Sequence, residues 1–248
     1  MTYELRRIVS SPLCGLLVIG TVGLGGALVI FQRLYRPETY WSLVDQFWDK
    51  LGLVAVAAMV LTVCLSLISC DRTCRTEGLV LTTKSGRKNL FRHRMAACAL
   101  GTVLFTLVLS VGNFLCALVL AQGIPIPSGW PVIYLGHTLL AATGGALLTL
   151  AACGLCECFR SLPITFILVS LVLLFSTLTA DMTGAPVPWY FLANGFFAKL
   201  IRGRALTGWS SYSPPWGSEW WGWSLWHLLL TGLCIFCAIR KRKERNQW

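Results

Sequence analysis

Six long stretches of this chain contain no Asp, Glu, Lys or Arg, and almost all charged residues lie in the connections between them. A helix needs about 20 apolar residues to cross the core of a bilayer. Five stretches come close to this length or exceed it, and the sixth reaches it only together with the Trp-rich run before it. The sequence therefore predicts an all-α, polytopic membrane protein with six transmembrane helices, at about 13–31, 51–70, 95–122, 132–153, 163–181 and 223–240.

The composition argues against a soluble protein. Hydrophobic residues make up 56% of the chain and charged residues only 12%, whereas a soluble domain carries about 25% charged residues. Six buried helices in water would need a polar outer layer that these residues cannot build. The longest polar connection has only about 40 residues, which is short for an additional soluble domain. We therefore expect residues 1–248 to form a single transmembrane domain.

Lys and Arg are concentrated on one side of the predicted membrane. Fifteen of the 21 basic residues lie there, and the positive-inside rule makes that side the cytoplasm. Both termini are then cytoplasmic, and we expect a multi-pass protein of the cell membrane. The net charge of +11 needs no nucleic-acid partner to explain it, because the basic residues set the topology and lie against anionic lipid head groups. The six basic residues on the outer side are Arg33, Arg36, Lys50, Lys199, Arg202 and Arg204.

Residues 2–11 combine apolar and charged side chains in a pattern typical of a short amphipathic helix. We expect this helix to lie flat at the cytoplasmic surface until Pro12 turns the chain into the first span. The alternative is a disordered, positively charged stub.

All eleven cysteines lie in predicted spans or near their cytoplasmic ends, where thiols stay reduced, so we expect no structural disulfides. Cys153, Cys156 and Cys158 form a C-x-x-C-x-C cluster at the inner end of the fourth span. Such thiols could bind a soft metal or act as a redox pair. Alternatively, they are small residues that pack a helix end, and we expect no metal site.

The outer connection 181–224 is unusually apolar and rich in Trp, so we do not expect a free loop. Short helices could dip into the outer leaflet and return, which is possible where protein or water covers the backbone. The predicted outer gate comprises Trp189, Asn194, Gly195, Trp220 and Trp221. The alternative is an aromatic belt that faces lipid and has no role in gating.

The cytoplasmic connection 71–94 has an apolar ridge at 79–81, a turn at Ser85-Gly86 and many basic residues. Such a segment could present a charged rim and an apolar ridge to a soluble partner, or it could be a basic loop that faces lipid. Between the second and third spans it contains the pattern E-G-x-x-L-T-T-x-x-x-R.

This pattern, together with the six spans and the long last outer connection, resembles the membrane subunits of ABC transporters of the type-2 exporter class. In that family the segment is a coupling helix that docks on a separate ATPase subunit. The resemblance implies that the chain is a permease that works with a dimer of ATPase subunits and a second permease, identical or homologous. The matching positions are Glu77, Gly78, Leu81, Thr82, Thr83 and Arg87. One departure is that Arg92-His93-Arg94 occupies a zone where the family often has a Lys.

No phosphate-binding G-x-x-x-x-G-K-[ST] loop occurs in the chain, so ATP and Mg would be bound by the partner ATPase and no cofactor by this chain. No charged residue lies in the middle of a span, which argues against a self-powered carrier. We expect no catalytic residues, and an amphipathic or lipophilic cargo such as an antimicrobial peptide, a drug or a lipid-like compound.

Polar residues within spans, such as Asn113 and His137, are expected to hydrogen-bond neighbouring helices, with substrate contact as the alternative. The rival functions are a membrane-embedded thiol or metal enzyme and a scaffold for a cytoplasmic complex.

Overall fold

The computed structural model describes residues 2–35, 40–45, 47, 51–74, 90–121, 123–171, 229 and 231–241. Within these ranges the regular structure is entirely helical, as the sequence predicts. The helices are α1 (Thr2–Val9), α2 (Pro12–Tyr35), α3 (Tyr40–Asp45), α4 (Leu53–Met59), a π-helix (Val60–Cys64), α5 (Leu65–Thr73), α6 (Leu90–Ala121), α7 (Trp130–Phe159), α8 (Leu162–Leu171) and α9 (231–241).

Three helical stretches in the described ranges are long and apolar enough to cross a membrane: Pro12–Phe31, Leu90–Ala121 and Trp130–Phe159. Val54–Cys70 and Leu162–Leu171 are shorter apolar helices. Large apolar side chains on the long helices point outward, and Ile19 and Val119 are 72% and 75% exposed. These surfaces would be unfavourable in water but suit contact with lipid.

The long helices α6 and α7 run antiparallel and make the most extensive contact between described elements. Thr102 lies opposite Thr149 near one end, and Ser110 lies opposite Thr138 near the other. The connection between them contains Gly123 and Gly129, whose φ angles of 91° and 86° are readily adopted only by glycine.

Helix α1 packs against the beginning of α6, and α9 packs against the end of α7. Residues 2 and 241 therefore lie towards the same end of the bundle. We call this the inner end, after the predicted orientation, and the opposite end the outer end. The predicted N-terminal helix is confirmed as a helix.

Helix α6 begins five residues earlier than the charge-free stretch indicates, at Leu90 rather than residue 95, and α7 continues past Cys153 to Phe159. Both extensions contain a charged residue, Arg94 or Glu157, that is nevertheless buried. A search for charge-free sequence necessarily ends such helices too early.

Glycines allow close packing at particular helix contacts. A Cβ atom on Gly112 would lie 2.8 Å from Val22 Cγ2, and one on Gly145 would lie 3.1 Å from Thr102 Cγ2. By contrast, a Cβ on Gly20 or Gly23 would meet nothing within 4 Å among the described residues. Among the described residues, the absence of a side chain therefore permits close helix approach at Gly112 and Gly145, whereas Gly20 and Gly23 make no such contact.

Candidate functional site: a buried polar seam and its two ends

The two sites that the sequence singles out lie outside the described residues. This applies to the coupling motif between Glu77 and Arg87 and to the outer-gate residues between Trp189 and Trp221. The described residues instead contain three features that sequence reasoning did not assemble. They are an ion pair at the inner end, a polar seam between α6 and α7, and an aromatic cluster at the outer end.

At the inner end, α1 is fastened to α6 by a buried ion pair. Arg94 Nε donates to Glu4 Oε1 over 3.3 Å, and each side chain is only 9% exposed. One turn further along α1, Ile8 is fully buried against α6, where a Cβ on Gly101 would lie 3.0 Å from its Cγ2. The first turns of α6 are therefore held by one charged and one apolar contact with α1.

The opposite face of α1 is exposed and carries Tyr3, Arg6, Arg7 and Val9. Arg7 also reaches the end of α5, where its Nη1 lies 3.8 Å from the Cys70 sulfur. Aromatic, apolar and basic side chains on one exposed face are typical of a helix at a membrane surface. The amphipathic pattern therefore gives α1 two different faces. One face is exposed, and the other packs against α6.

The polar seam is the row of buried hydroxyl, amide and thiol side chains where α6 faces α7. On α6 its members are spaced three or four residues apart, which places them on one face of the helix. Their spacing within a charge-free stretch was visible in the sequence, but the partner helix was not. The seam consists of Cys98, Thr102, Thr106, Ser110 and Asn113 from α6, and Tyr134, Thr138, Thr149 and Cys153 from α7.

In the outer half of the seam, hydrogen bonds form a continuous chain. Asn113 Nδ2 donates to the Tyr134 hydroxyl over 3.1 Å and to the Val44 carbonyl over 3.4 Å. The Tyr134 hydroxyl in turn donates to the Ser110 carbonyl over 2.9 Å, and the Ser110 and Thr138 hydroxyls are 2.5 Å apart. Asn113 thus bonds neighbouring elements, as the sequence predicts. His137 is buried beside this chain, at 2% exposed.

In the inner half, the hydroxyls of Thr102 and Thr149 lie 2.9 Å apart. Thr102 also donates to the Cys98 carbonyl over 3.0 Å, and Thr149 bonds the carbonyl one turn before it, that of Gly145, over 2.8 Å. A hydroxyl has only one proton, so the bond across the interface forms when either Thr102 or Thr149 turns its proton from the carbonyl of its own helix to the other hydroxyl. In a membrane interior, a hydrogen bond between helices stabilises their association by about 0.6 kcal/mol on average.

Thiols from three helices meet below these hydroxyls. The side chain of Cys98 contacts those of Cys64 and Cys153, and all three residues are completely buried. Cys64 also lies 3.7 Å from the Thr102 hydroxyl. Cys64 ends the π-helix Val60–Cys64, a rare form that often occurs at functional sites.

The C-x-x-C-x-C cluster lies where α7 meets α9. Cys156 is fully buried, and Cys158 Sγ lies 3.9 Å from the Cys234 carbonyl oxygen. A Cβ on Gly154 would meet the backbone carbonyl group of Cys234 at 3.1 Å, so the glycine is needed for this close approach. Lys241 Nζ donates to the Cys158 carbonyl over 3.0 Å and thereby caps the end of α7. The geometry is that of a packed helix end.

All eleven cysteines are free thiols in the structure. Among the described residues, no group of three or more His, Cys, Asp or Glu side chains is arranged so that it could hold a metal ion.

At the outer end, five aromatic rings from α3, α6 and α7 form a cluster. The Trp41 and Trp130 ring centroids lie 4.8 Å apart, and Tyr134 stacks on Trp130 at 5.0 Å. Tyr40 completes the contact with α6, because its hydroxyl donates to the Ala117 carbonyl over 2.5 Å. Burial raises the pKa of Tyr40, so its hydroxyl stays protonated and keeps this bond. We call this set the outer aromatic cluster: Tyr40, Trp41, Phe114, Trp130 and Tyr134.

Taken together, the seam joins α6 and α7 along their length, and the structure extends this unit to α1 at the inner end and to α3 at the outer end. The side chains of the seam itself are neutral hydroxyl, amide and thiol groups. The charged pair Glu4–Arg94 lies beyond the seam, at the inner end. Chemically, this arrangement can hold helices together and present polar groups inside a membrane. Compared with known proteins, the chain matches no family model, and no curated protein is significantly similar to it.

Proposed function

We propose that this chain is the membrane-spanning permease subunit of an ATP-driven ABC exporter, with six spans and both termini in the cytoplasm. It would move an amphipathic or lipophilic cargo outward in complex with a separate ATPase dimer and a second permease. The sequence support is the motif from Glu77 to Arg87, its place between the second and third spans, and the uncharged span interiors.

The observation that carries the proposal furthest is the attachment of α1 to α6. Helix α6 begins at Leu90, three residues after the motif ends at Arg87. A force on the motif would reach α6 first, and the Glu4–Arg94 pair would make α1 move with it. The hydroxyl contacts of the seam would then transmit the movement to α7. An exporter needs such a rigid connection between the ATPase and the spans.

The experiment that tests this function replaces Leu81 in the motif with Asp. A charge in a buried docking contact, left without a partner, costs several kcal/mol. We expect Leu81→Asp to abolish ATPase binding and export while the protein still inserts into the membrane. Leu81→Met is the matched control, because it conserves volume and apolar character and should retain both activities. Normal ATPase binding and hydrolysis with Leu81→Asp would contradict the assignment.

A thiol or metal enzyme built on Cys153, Cys156 and Cys158 is the rival function. The first two side chains are fully enclosed, and the third contacts the backbone of Cys234. This placement supports a packing role. Replacing Cys156 and Cys158 together with Ala should therefore leave export intact, whereas loss of activity in a correctly assembled protein would favour the enzyme.

A further inference from the structure

Two indole N–H groups in the outer aromatic cluster are buried and have no hydrogen-bond acceptor among the described residues. They belong to Trp41 and Trp130, which are 4% and 7% exposed. Buried donors in folded proteins almost always have a partner, which is either another protein group, ordered water or a ligand. The two rings pack against each other, with their centroids 4.8 Å apart, so both indoles belong to the same aromatic cluster.

The position of this site suggests what the partner is. Helix α7 has 30 residues, which makes it about 45 Å long, so its ends extend beyond a hydrocarbon core of about 30 Å. Trp130 is the first residue of that helix. With the helix centred in a bilayer, Trp130 would lie at the depth of lipid head groups, where Trp is enriched because its ring is buried while its N–H bonds to polar groups.

The electrostatics of the site favour an anion. The N-terminus of a helix carries a partial positive charge, and here the helix that begins at Trp130 supplies it. Arg33 near the end of α2 is close enough to lower the pKa of Tyr40, although the burial of Tyr40 has the larger, opposite effect. A positive charge, a helix N-terminus and two indole donors together match the oxygens of a phosphodiester.

We propose that the outer aromatic cluster binds the phosphate group of a membrane phospholipid, with the indole N–H groups of Trp41 and Trp130 donating to its oxygens. The acyl chains would lie along the exposed apolar faces of the neighbouring helices, where Val119 and Val132 are 75% and 74% exposed. This inference does not depend on the exporter assignment. It would give the chain a lipid site at the end opposite to α1.

The test uses the purified full chain in dodecyl maltoside. Thermal unfolding is followed with a thiol-reactive dye, since the cysteines that unfolding exposes, such as Cys64 and Cys98, are completely buried in the folded protein. The probes are dihexanoyl phosphatidylglycerol, dihexanoyl phosphatidylcholine, dihexanoylglycerol and inorganic phosphate. We expect both phospholipids to raise the midpoint of unfolding in a saturable manner, and dihexanoylglycerol and inorganic phosphate to leave it unchanged.

The decisive variant is Trp41→Phe/Trp130→Phe, which keeps aromatic rings but removes both N–H groups. A hydrogen bond to a charged group typically contributes about tenfold in affinity. We therefore expect the affinity for both phospholipids to fall at least tenfold, with little change in the midpoint without lipid. Phe105→Leu is the matched control, because Phe105 is a buried aromatic residue of α6 that lies outside the outer aromatic cluster and donates no hydrogen bond. This control should bind phospholipid within about threefold of the original affinity, since it keeps both indole donors.

Three results would overturn the proposal. Unchanged lipid affinity in the double variant would show that the indoles do not bind the phosphate. If the double variant has a lower midpoint of unfolding without lipid, and phospholipid does not shift the midpoint of the original protein, ordered water satisfies the N–H groups instead. Equal binding of inorganic phosphate, in competition with the phospholipids, would assign a free anion instead.

If the double variant does not fold, the original protein still gives an answer. A phospholipid with a photoreactive head group should label peptides within residues 40–45 or 123–134, and excess dihexanoyl phosphatidylglycerol should suppress the labelling. Labelling confined to other peptides would contradict the proposed site.

Discussion

Removing either partner of the Glu4–Arg94 pair should destabilise the inner end of the bundle by more than the loss of one surface ion pair. Both side chains are 91% removed from solvent, so each single variant would leave a buried charge without its counterion. Breaking a buried pair in this way costs about 3–5 kcal/mol. The separation of 3.3 Å is longer than an optimal charged hydrogen bond. We therefore expect a value at the lower end, about 3 kcal/mol, for Glu4→Ala and for Arg94→Ala.

A double-mutant cycle separates the interaction from the effect of each truncation. Once one partner is gone, removing the other also removes the unpaired charge. Glu4→Ala/Arg94→Ala should therefore be less stable than the worse single variant by no more than about 1 kcal/mol, which corresponds to a coupling energy of at least about 2 kcal/mol. The charge reversal Glu4→Arg/Arg94→Glu should recover part of the loss. Arg92 is exposed, so Arg92→Ala is the control and should change stability by less than about 0.5 kcal/mol.

The free energy of unfolding can be measured in mixed micelles with increasing fractions of dodecyl sulfate. Maleimide labelling of Cys98 reports opening locally, because this fully buried thiol lies one turn after Arg94 in α6. Additive losses in the double variant, with a coupling energy below about 0.5 kcal/mol, would refute the idea that this ion pair fastens α1 to α6.

Three further outcomes follow from the packing. Gly112→Ala should lower the free energy of unfolding by about 1–3 kcal/mol, because the added Cβ would lie 2.8 Å from Val22 Cγ2. Val22→Ala in the same chain should restore most of this loss. If it does not, the contact with Val22 is not the cause of the loss. Tyr134→Phe should lower the free energy of unfolding by about 1–2 kcal/mol, since the Tyr134 hydroxyl bonds both Ser110 and Asn113. An unchanged free energy of unfolding would contradict the idea that the seam stabilises the contact between α6 and α7. In the folded protein, Cys74 is exposed and should react with maleimide within minutes, whereas Cys153 is fully buried and should not react until the protein unfolds; rapid labelling of Cys153 would contradict the packing.

The pattern of charge-free sequence predicted where the long helices lie, because burying an unpaired charge in lipid is unfavourable. It could not predict where they end, since a charge becomes tolerable once it has a partner. Arg94 illustrates this, as its partner Glu4 lies 90 residues away in sequence. Only the folded chain shows that a residue counted among the surface charges of a loop is buried within a helix.

The polar seam could be predicted only in part. The spacing of Thr102, Thr106 and Ser110 places them on one face of a helix, but which helix they meet depends on the packing of the whole bundle. The cysteine cluster was ambiguous for a related reason. Its spacing suits metal ligands, yet the contact of Gly154 with the backbone of Cys234 shows that the segment is packed against α9. Spacing alone does not encode such tertiary contacts, so the packing of this segment could not be predicted from the sequence.

The most direct test of the proposed function is to identify what this chain binds in its native membrane. A tagged chain would be extracted in a mild detergent, purified without crosslinking, and analysed by mass spectrometry and for ATP hydrolysis, with the Leu81→Asp chain purified in parallel. The exporter account predicts a soluble ATPase that contains a phosphate-binding loop, in a 1:1 ratio to permease chains, with hydrolysis present in the original complex and absent from the Leu81→Asp sample. A correctly inserted chain that purifies without any ATPase, or that binds the same ATPase equally well with Asp at position 81, would contradict it.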